Sequence, residues 1–416
     1  MRTCVRFLTW RRCRKTFSSP YIFFVIPLSF WLFARQLPLH MPVSAVTESP
    51  MNPLNNFLRY AYSENFPRKG CPFSLNFTHL LNGTEVRKSH GNSVLFQCAP
   101  PLNTYDIRKK KLKFIALLYP LELDIVELVK AQLEGKEVIN EAINPHNFDY
   151  IHNGQFICEK SLSLILVVKS GVNNFSNRQV IRETWGNVSY YQAVKIVFLL
   201  GYKKDMQGQV DTEALEYGDV VQEDFVDSYS NNTLKTIMGL NWVSQYCSRA
   251  KLSFYVDDDV FIIVNNLQKI GKFANPQSDM LFGKALSTSV PYRDNTSKWF
   301  VSWEDYPFDS YPRYLAGFAY IMSADVVKKF VLAIPYIKPI QIDDTYLGII
   351  AEKLKITPKN QVGFYTRSPG PVTTAAARMN FLRTVAFHRI SCPDSMMQTW
   401  KEYCKQSKSF CTPEQT

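Results

Sequence analysis

An apolar stretch that ends in three consecutive aspartates constrains this chain more than any other feature. Residues Leu252 to Val256 are continuously strand-forming, and Asp257, Asp258 and Asp259 follow directly. Adjacent carboxylates repel one another unless a cation or hydrogen-bond donors hold them. Oxygen ligands favour Mg²⁺ or Mn²⁺, and such ions are held by one or two carboxylates plus substrate phosphates. The run therefore predicts a metal site; a solvated acidic turn is the alternative.

Strand and helix patterns alternate upstream of the aspartates, which predicts an α/β fold. Continuous apolar runs over 162–169 and 195–201 are typical of strands buried on both faces, and 219–227 resembles a short strand and turn. Helical spacing occurs over 178–185 and 234–247. Ligands of open α/β sheets bind at the carboxyl ends of the strands, where the aspartates would lie. The chain has no glycine-rich dinucleotide fingerprint and no P-loop, so neither class of enzyme is expected.

The positive charge of the chain is concentrated at its beginning. The net charge is +12. All charged residues before the first acid, Glu48, are basic: Arg2, Arg6, Arg11, Arg12, Arg14, Lys15 and Arg35. The remainder is only mildly basic and has no stripe that could follow a phosphate backbone. We therefore expect no nucleic-acid partner.

An uncharged, mostly apolar segment at 17–34 predicts a membrane anchor. At about 1.5 Å per residue it spans about 27 Å, enough for a thin bilayer. The basic residues before it place the N-terminus in the cytosol, as in a type II membrane protein. We expect a cytosolic tail at 1–16, a signal anchor at 17–34, a proline-containing stem at 35–70, a lumenal appendage at 71–142 and the main domain at 143–416. A cleaved signal peptide is the alternative.

Glycosylation sequons and cysteines agree with a lumenal main domain. Sequons begin at Asn76, Asn82, Asn174, Asn187, Asn231 and Asn295. The cysteines that would meet an oxidising lumen are Cys71, Cys98, Cys158, Cys247, Cys392, Cys404 and Cys411. Disulfides are expected there, and their odd number leaves at least one thiol free or in an intermolecular bond. Helical spacing over 121–142 predicts a helix that packs on the main domain.

Motifs in a fixed order between residues 139 and 404 resemble a known family. They are Ile143-Asn144-Pro145-His146, Arg178-Gln179-Val180-Ile181-Arg182-Glu183-Thr184-Trp185-Gly186, Tyr217-Gly218-Asp219-Val220-Val221, Asp257-Asp258-Asp259-Val260-Phe261, Tyr311-Pro312-Arg313-Tyr314, Asp343-Asp344-Thr345-Tyr346-Leu347-Gly348 and a late His388. Together they resemble the β1,3-glycosyltransferases of the galactosyltransferase and N-acetylglucosaminyltransferase group, glycosyltransferase family 31. The resemblance implies a GT-A-like nucleotide-sugar-binding fold: a mixed, mostly parallel central sheet flanked by helices.

The resemblance also implies a reaction and a location. A family member transfers a sugar from a UDP-sugar in β1,3 linkage, with inversion, to a glycan of a glycoprotein or glycolipid, using Mn²⁺ or Mg²⁺. Galactose or N-acetylglucosamine is the favoured sugar, and N-acetylgalactosamine stays open. The expected location is the Golgi membrane, with a single N-terminal helix as anchor. A homo- or hetero-oligomer is left open, as is the acceptor.

The resemblance assigns roles to the acidic residues and to one histidine. Asp259 would bind the metal directly together with His388, while Asp258 would hold the ribose and Asp257 would orient its neighbours. Asp344 would be the base that accepts the proton of the acceptor hydroxyl, with Asp343 as the alternative. A turn and short strand over 338–342 would lead into a helix that begins near Thr345.

Other residues carry weaker assignments. Arg178 and Arg182 lie on one helical face and would pair either with the diphosphate or with buried acids. Asp224 and Lys235 are candidates for the nucleotide side. Sugar-stacking candidates on the acceptor side are Tyr311, Tyr314 and Trp303, for which ordinary packing is the alternative, and Trp185 is expected in the core.

Some features leave alternatives open. Leu315, Phe318 and Ala319 fill the region around Gly317 where the acceptor loop of the family usually carries further small residues, which puts the substrate in doubt more than the activity. Cys158 precedes the first strand of the main domain and Cys247 the strand that ends in the aspartates, so a disulfide between them is expected. The competing functions are a catalytically silent lumenal lectin-like or chaperone-like protein of the same fold and a calcium-stabilised adhesion protein.

Overall fold

The computed structural model describes residues 119–121, 123–158, 160–272, 279–390 and 392–407. The expected cytosolic tail, signal anchor and stem lie outside these residues, as do most of the appendage, the sequons at Asn76 and Asn82, and Cys71, Cys98 and Cys411. None of the helices in the described ranges has the length and apolar character needed to cross a membrane.

The described chain alternates strands and helices, as the sequence predicts. The strands are β1 Tyr150–His152, β2 Leu164–Lys169, β3 Val194–Tyr202, β4 Val220–Val226, β5 Leu252–Asp257, β6 Val260–Ile262, β7 Leu281–Leu286, β8 Tyr314–Ser323, β9 Lys359–Asn360, β10 Phe364–Tyr365 and β11 Ala386–His388. The α-helices are α1 Ile125–Leu133, α2 Phe175–Glu183, α3 Gln207–Tyr217, α4 Asn232–Tyr246, α5 Val264–Lys272, α6 Ala324–Ala333, α7 Asp343–Lys353, α8 Ala375–Leu382 and α9 Pro393–Ser407.

An eight-stranded mixed sheet forms the centre of the described residues, in the order β1-β4-β3-β2-β5-β8-β7-β9. Strands β4, β3, β2 and β5 run parallel, whereas β8 pairs with β5 and β7 in antiparallel fashion. A second, three-stranded sheet has the order β10-β11-β6, and its strand β6 follows the aspartates directly in the sequence. The predicted mixed α/β architecture is therefore confirmed.

Register places the ends of two buried strands side by side. All six residues of β2 are buried, because β3 and β5 flank it and helices cover the sheet. The last residue of β2, Lys169, lies opposite Asp257 at the end of β5. Parallel strands end at the same edge of a sheet, so a lysine from one strand meets the acidic run of the next.

Two local predictions are wrong. The helix predicted over 121–142 is only α1, which ends at Leu133 and is followed by Gly135 in the left-handed region, with φ 75°. The segment over 338–342 forms no strand, although the helix predicted to begin near Thr345 is present as α7, which begins at Asp343. Both aspartates therefore belong to the first turn of this helix.

The predicted disulfide between Cys158 and Cys247 is present, with Cα atoms 5.2 Å apart. It ties the segment before β2 to the end of α4, close to the start of β5. Cys392 and Cys404 are also disulfide-bonded. Trp185 is fully buried, as expected of a core residue.

Candidate active site

One cleft contains most of the residues predicted for the site. Its volume is about 900 Å³, within the range of small-molecule sites. Residues that line it include Lys235, Asp257, Asp258, Asp259, Asp344 and His388. The cleft lies at the carboxyl ends of β2, β4 and β5, where an α/β sheet is expected to bind its ligand.

Two short strands bring the late histidine to the acidic run. Strands β6 and β11 pair in antiparallel register, and Nε2 of His388 lies 3.1 Å from Oδ2 of Asp259. The ring of Phe318 stacks on the imidazole at 5.3 Å, which fixes its orientation. One ligand atom each from Asp257, Asp259 and His388 fall within 4.8 Å of one another.

The donor set of this cluster fits a divalent cation. Two carboxylates and one imidazole suit Mn²⁺, which accepts both oxygen and nitrogen ligands. The motif assigns Asp257 only an orienting role, whereas its position in the folded chain lets it act as a ligand. Burial raises the pKa of Asp257 to about 6, although Lys169 acts in the opposite direction. A bound cation would favour the ionised form.

Asp258 is held by neutral donors rather than by the cluster. Its Oδ2 accepts hydrogen bonds from Oγ of Ser170 at 2.6 Å and from Nδ2 of Asn174 at 2.9 Å. Burial raises the pKa of Asp258, and these two donors lower it in part. Asn177 is a third side-chain hydrogen-bond partner of this carboxylate. The sequence had marked Asn174 only as a glycosylation sequon, and its motif gives no sign of this contact.

Lys169 connects the two groups of carboxylates, and sequence reasoning missed it. Its side chain is 6% exposed, and Nζ lies 3.1 Å from Oδ1 of Asp257 and 2.7 Å from Oδ2 of Asp343. Nζ also donates to the carbonyl of Gly317 at 3.2 Å. Burial disfavours the charge, but the two carboxylates hold the pKa of Lys169 well above its usual value.

The two aspartates of α7 have different environments. Asp343 accepts hydrogen bonds from Lys169 and, at 2.9 Å, from Thr236. Burial alone would raise the pKa of Asp343, but Lys169 and Thr236 bring it below the usual value. The N-cap of α7 is Ile342, so neither aspartate occupies the capping position.

Asp344 is the member of the pair whose proton affinity suits a base. Its Oδ2 accepts from the backbone N–H of Gly317 at 3.1 Å. A Cβ at position 317 would lie 3.1 Å from the Cβ of Asp344, so this approach favours glycine. Burial and the charge of Asp343 raise the pKa of Asp344 to about 7. A group with that pKa exchanges protons readily at neutral pH.

The assignment of Arg178 and Arg182 to the donor is wrong, and the buried-acid alternative holds. Arg178 is 0% exposed, and its Nη2 lies 2.7 Å from Oε2 of Glu213. Arg182 lies 2.8 Å from Glu213 and 2.7 Å from Asp219. The buried carboxylate of Glu213 requires these cations, which keeps both arginines out of the cleft. Arg178 also donates to the carbonyl of Gly171 and thereby holds the loop after β2.

Of the two residues predicted for the nucleotide side, Lys235 lines the cleft and Asp224 does not. Lys235 is buried, lines the cleft, and donates to the carbonyl of Ser170 at 2.6 Å and to Asp227 at 2.9 Å. Asp224, by contrast, is exposed on β4 and accepts from the backbone N–H of Asp149. Its assignment to the nucleotide is wrong, because its side chain lies on the exposed face of the strand and does not line the cleft.

The aromatic residues exposed in the cleft are not the ones first proposed. Tyr311 and Tyr314 line it but are largely buried, and Trp303 does not line it; the guanidinium of Arg293 covers its ring at 3.9 Å. Tyr292 and Trp299, 54% and 43% exposed, line the cleft instead with ring centroids 5.5 Å apart. The sequence offered only one signal for this pair, aromatic residues in a polar loop.

Comparisons with known proteins identify relatives of this chain. The family model described as Galactosyltransferase matches residues 176–362. Human β-1,3-galactosyltransferase 1 is 33% identical over 275 residues, covering 65% of this chain and 82% of the relative. The β-1,3-galactosyltransferase brn of Drosophila melanogaster is 33% identical over 267 residues, covering 61% of this chain and 80% of the relative.

A further sequence relative and a solved structure are also similar to this chain. Human lactosylceramide 1,3-N-acetyl-β-D-glucosaminyltransferase is 35% identical over 236 residues, covering 52% of this chain and 61% of the relative. A solved structure of the galactosyltransferase LgtC with donor and acceptor sugar analogues covers 60% of this chain and 98% of that chain, at a TM-score of 0.30 and 10% identity. A structural similarity of this size carries no inference.

Proposed function

The chain belongs to the galactosyltransferase family and is a glycosyltransferase, and from this premise we propose that it transfers galactose or N-acetylglucosamine from a UDP-sugar to a glycan hydroxyl. The proposed linkage is β1,3, with inversion at the anomeric carbon. The observation that carries the proposal is the presence, in one cleft, of a possible metal cluster and a separate carboxylate with a pKa near neutrality.

The base is Asp344 in this proposal. In an inverting transfer the acceptor oxygen attacks the anomeric carbon from the face opposite the departing UDP, and its proton must go to a base on that side. Asp344 lies in the first turn of α7, next to Asp343, which Lys169 links to Asp257 at the end of β5. Lys169 and Thr236 hold the neighbouring Asp343. Asp343 therefore serves to position this region and to raise the pKa of Asp344.

Asp257, Asp259 and His388 would hold Mn²⁺, with Mg²⁺ as the other candidate. When bound, the cation offsets the negative charge that develops on the departing diphosphate. Neighbouring residues support these three ligands: Phe318 orients the imidazole, and Lys169 compensates part of the charge of Asp257. Asp258 would bind the ribose, and Ser170 and Asn174 hold its carboxylate in place.

The acceptor would be a glycan of a glycoprotein or a glycolipid. Tyr292 and Trp299 support this class, because exposed aromatic rings pack on the apolar C–H faces of sugars. The proposal includes a Golgi membrane location, with the segment at 17–34 as a type II anchor and the cleft on the lumenal side. These points rest on the sequence.

The test is sugar transfer by the full chain in detergent micelles. UDP-galactose, UDP-N-acetylglucosamine and UDP-N-acetylgalactosamine are offered with a panel of short glycans, in Mn²⁺ or in EDTA. We expect one donor to be used in Mn²⁺ and product loss in EDTA, in Asp259→Ala and in Asp344→Asn. Asp224→Asn is the matched control and should retain full activity. Unchanged rates in Asp259→Ala and Asp344→Asn would refute the assignments; glycan binding without transfer would favour a silent lectin-like protein.

A further inference from the structure

Arg389 occupies an unassigned position beside the metal cluster. It directly follows His388, is exposed, and lines the same cleft as the acidic run. The backbone N–H of Ile390 donates to the carbonyl of Asp259 at 2.8 Å. This bond extends the pairing of β11 and β6 by one step, so Arg389 lies across from Asp259.

The backbone of Arg389 is held in an unfavourable conformation. Its φ is 77°, in the left-handed region that side chains with a Cβ rarely adopt. Other non-glycine residues with positive φ in the described ranges are Ala193, Asp279 and Lys355, none of which lines the cleft. Strained residues cluster at ligand sites, where surrounding bonds hold them in place. The bond from Ile390 to Asp259 is such a constraint.

Arg389 forms no salt bridge with an acidic residue in the part of the chain that the structure describes. Lys169 and Lys235, which line the cleft, are paired with carboxylates, and Lys298 lies against the rings of Tyr229 and Trp299. Salt bridges in the described ranges do not include Arg389. Its guanidinium is therefore available to a ligand.

We propose that Arg389 binds the diphosphate of the donor nucleotide, an assignment that rests on the proposed function. A UDP-sugar brings two anionic phosphates to a cleft whose acidic run is already negative, so a divalent cation alone leaves an excess of negative charge. A planar guanidinium can donate two parallel hydrogen bonds to phosphate oxygens. Arg389 thus takes the role that the sequence had given to Arg178 and Arg182.

The experiment is calorimetric titration of UDP, UMP and uridine into the full chain in detergent with Mn²⁺. We expect Arg389→Ala and Arg389→Gly to weaken UDP binding by about 10- to 100-fold, the size typical of hydrogen bonds to charged groups. Arg389→Lys should lose less, and uridine affinity should be unchanged in every variant. Glycine tolerates positive φ, so Arg389→Gly should melt no lower than the wild type. This melt separates lost binding from misfolding.

Lys355→Gly is the matched control. Lys355 is also an exposed cation with positive φ, 58°, but lies outside the cleft, so this variant should bind UDP as the wild type does. Unchanged UDP affinity in both Arg389→Ala and Arg389→Gly would overturn the assignment. An equal loss for uridine, or a change confined to the KM for the acceptor, would overturn it too. If the wild type bound no UDP, the proposed function itself would fail, and this inference with it.

Discussion

Replacing Lys169 by methionine tests the link between the two carboxylate groups. Methionine has a similar length and no charge, so the change removes the contacts of 3.1 Å to Asp257 and 2.7 Å to Asp343 while preserving most of the packing. Removing one partner of a buried ion pair costs about 3–5 kcal/mol, because the remaining charge is uncompensated. For a domain of this size the melting temperature should fall by on the order of 10 °C.

The pH dependence of this loss identifies its cause. Without Lys169 the folded-state pKa values of Asp257 and Asp343 rise, so the folded variant binds more protons than the unfolded chain. Its stability should therefore recover as the pH falls from about 8 towards 5. Thermal melts of the full chain in EDTA, across this range, measure the effect, with the exposed Lys328→Met as control. A deficit that does not change with pH, or no deficit, would refute the reasoning.

Three further predictions concern the base, the aromatic wall and the buried arginines. Because burial and a neighbouring charge raise the pKa of Asp344 to about 7, kcat/KM should fall about tenfold per pH unit below pH 7; a profile flat to pH 5 would exclude Asp344 as the base. Trp299→Ala should raise the acceptor KM roughly tenfold and leave the donor KM unchanged, whereas Trp303→Ala should change neither; a shift of the donor KM alone would contradict this role. Glu213→Ala should lower the free energy of unfolding by about 3–5 kcal/mol, measured in urea, because it leaves the buried Arg178 and the partly buried Arg182 without a shared carboxylate; a loss below about 1 kcal/mol would argue against that pairing.

The central strands were predictable because their residues are apolar without interruption. The predicted runs at 162–169 and 195–201 correspond to β2 and β3, and the strand before the aspartates corresponds to β5. The ends of helices were harder to predict, since they depend on tertiary contacts. Apolar spacing continued past Leu133, yet Ile139 is 93% exposed and does not belong to a helix.

Residues of the site were predictable where a motif carried the chemistry. Asp258, Asp259, His388 and Asp344 all line the cleft, as expected of the family's motifs. Lys169 was not recognised because it ends an apolar run whose pattern indicates only a strand. Its partner Asp343 lies far along the sequence, so the contact depends on the sheet register.

Three arginines also show that contacts between separate elements limit prediction from sequence. Arg178 and Arg182 do share a helical face, but the acid that meets that face, Glu213, comes from a different helix. Spacing within one helix cannot identify it. Arg389 lies beside a recognised histidine, but its positive φ and its place in the cleft became visible only in the folded chain.

The most direct test of the account compares UDP affinity with transfer rate in Asp344→Asn. The account assigns donor binding to the acidic run and proton removal to α7, so the two quantities should separate. In Mn²⁺, calorimetric UDP affinity should stay within about threefold of the wild type, while the transfer rate falls by about 10²–10⁴-fold. Transfer at the wild-type rate, or loss of UDP binding in this variant, would contradict the account.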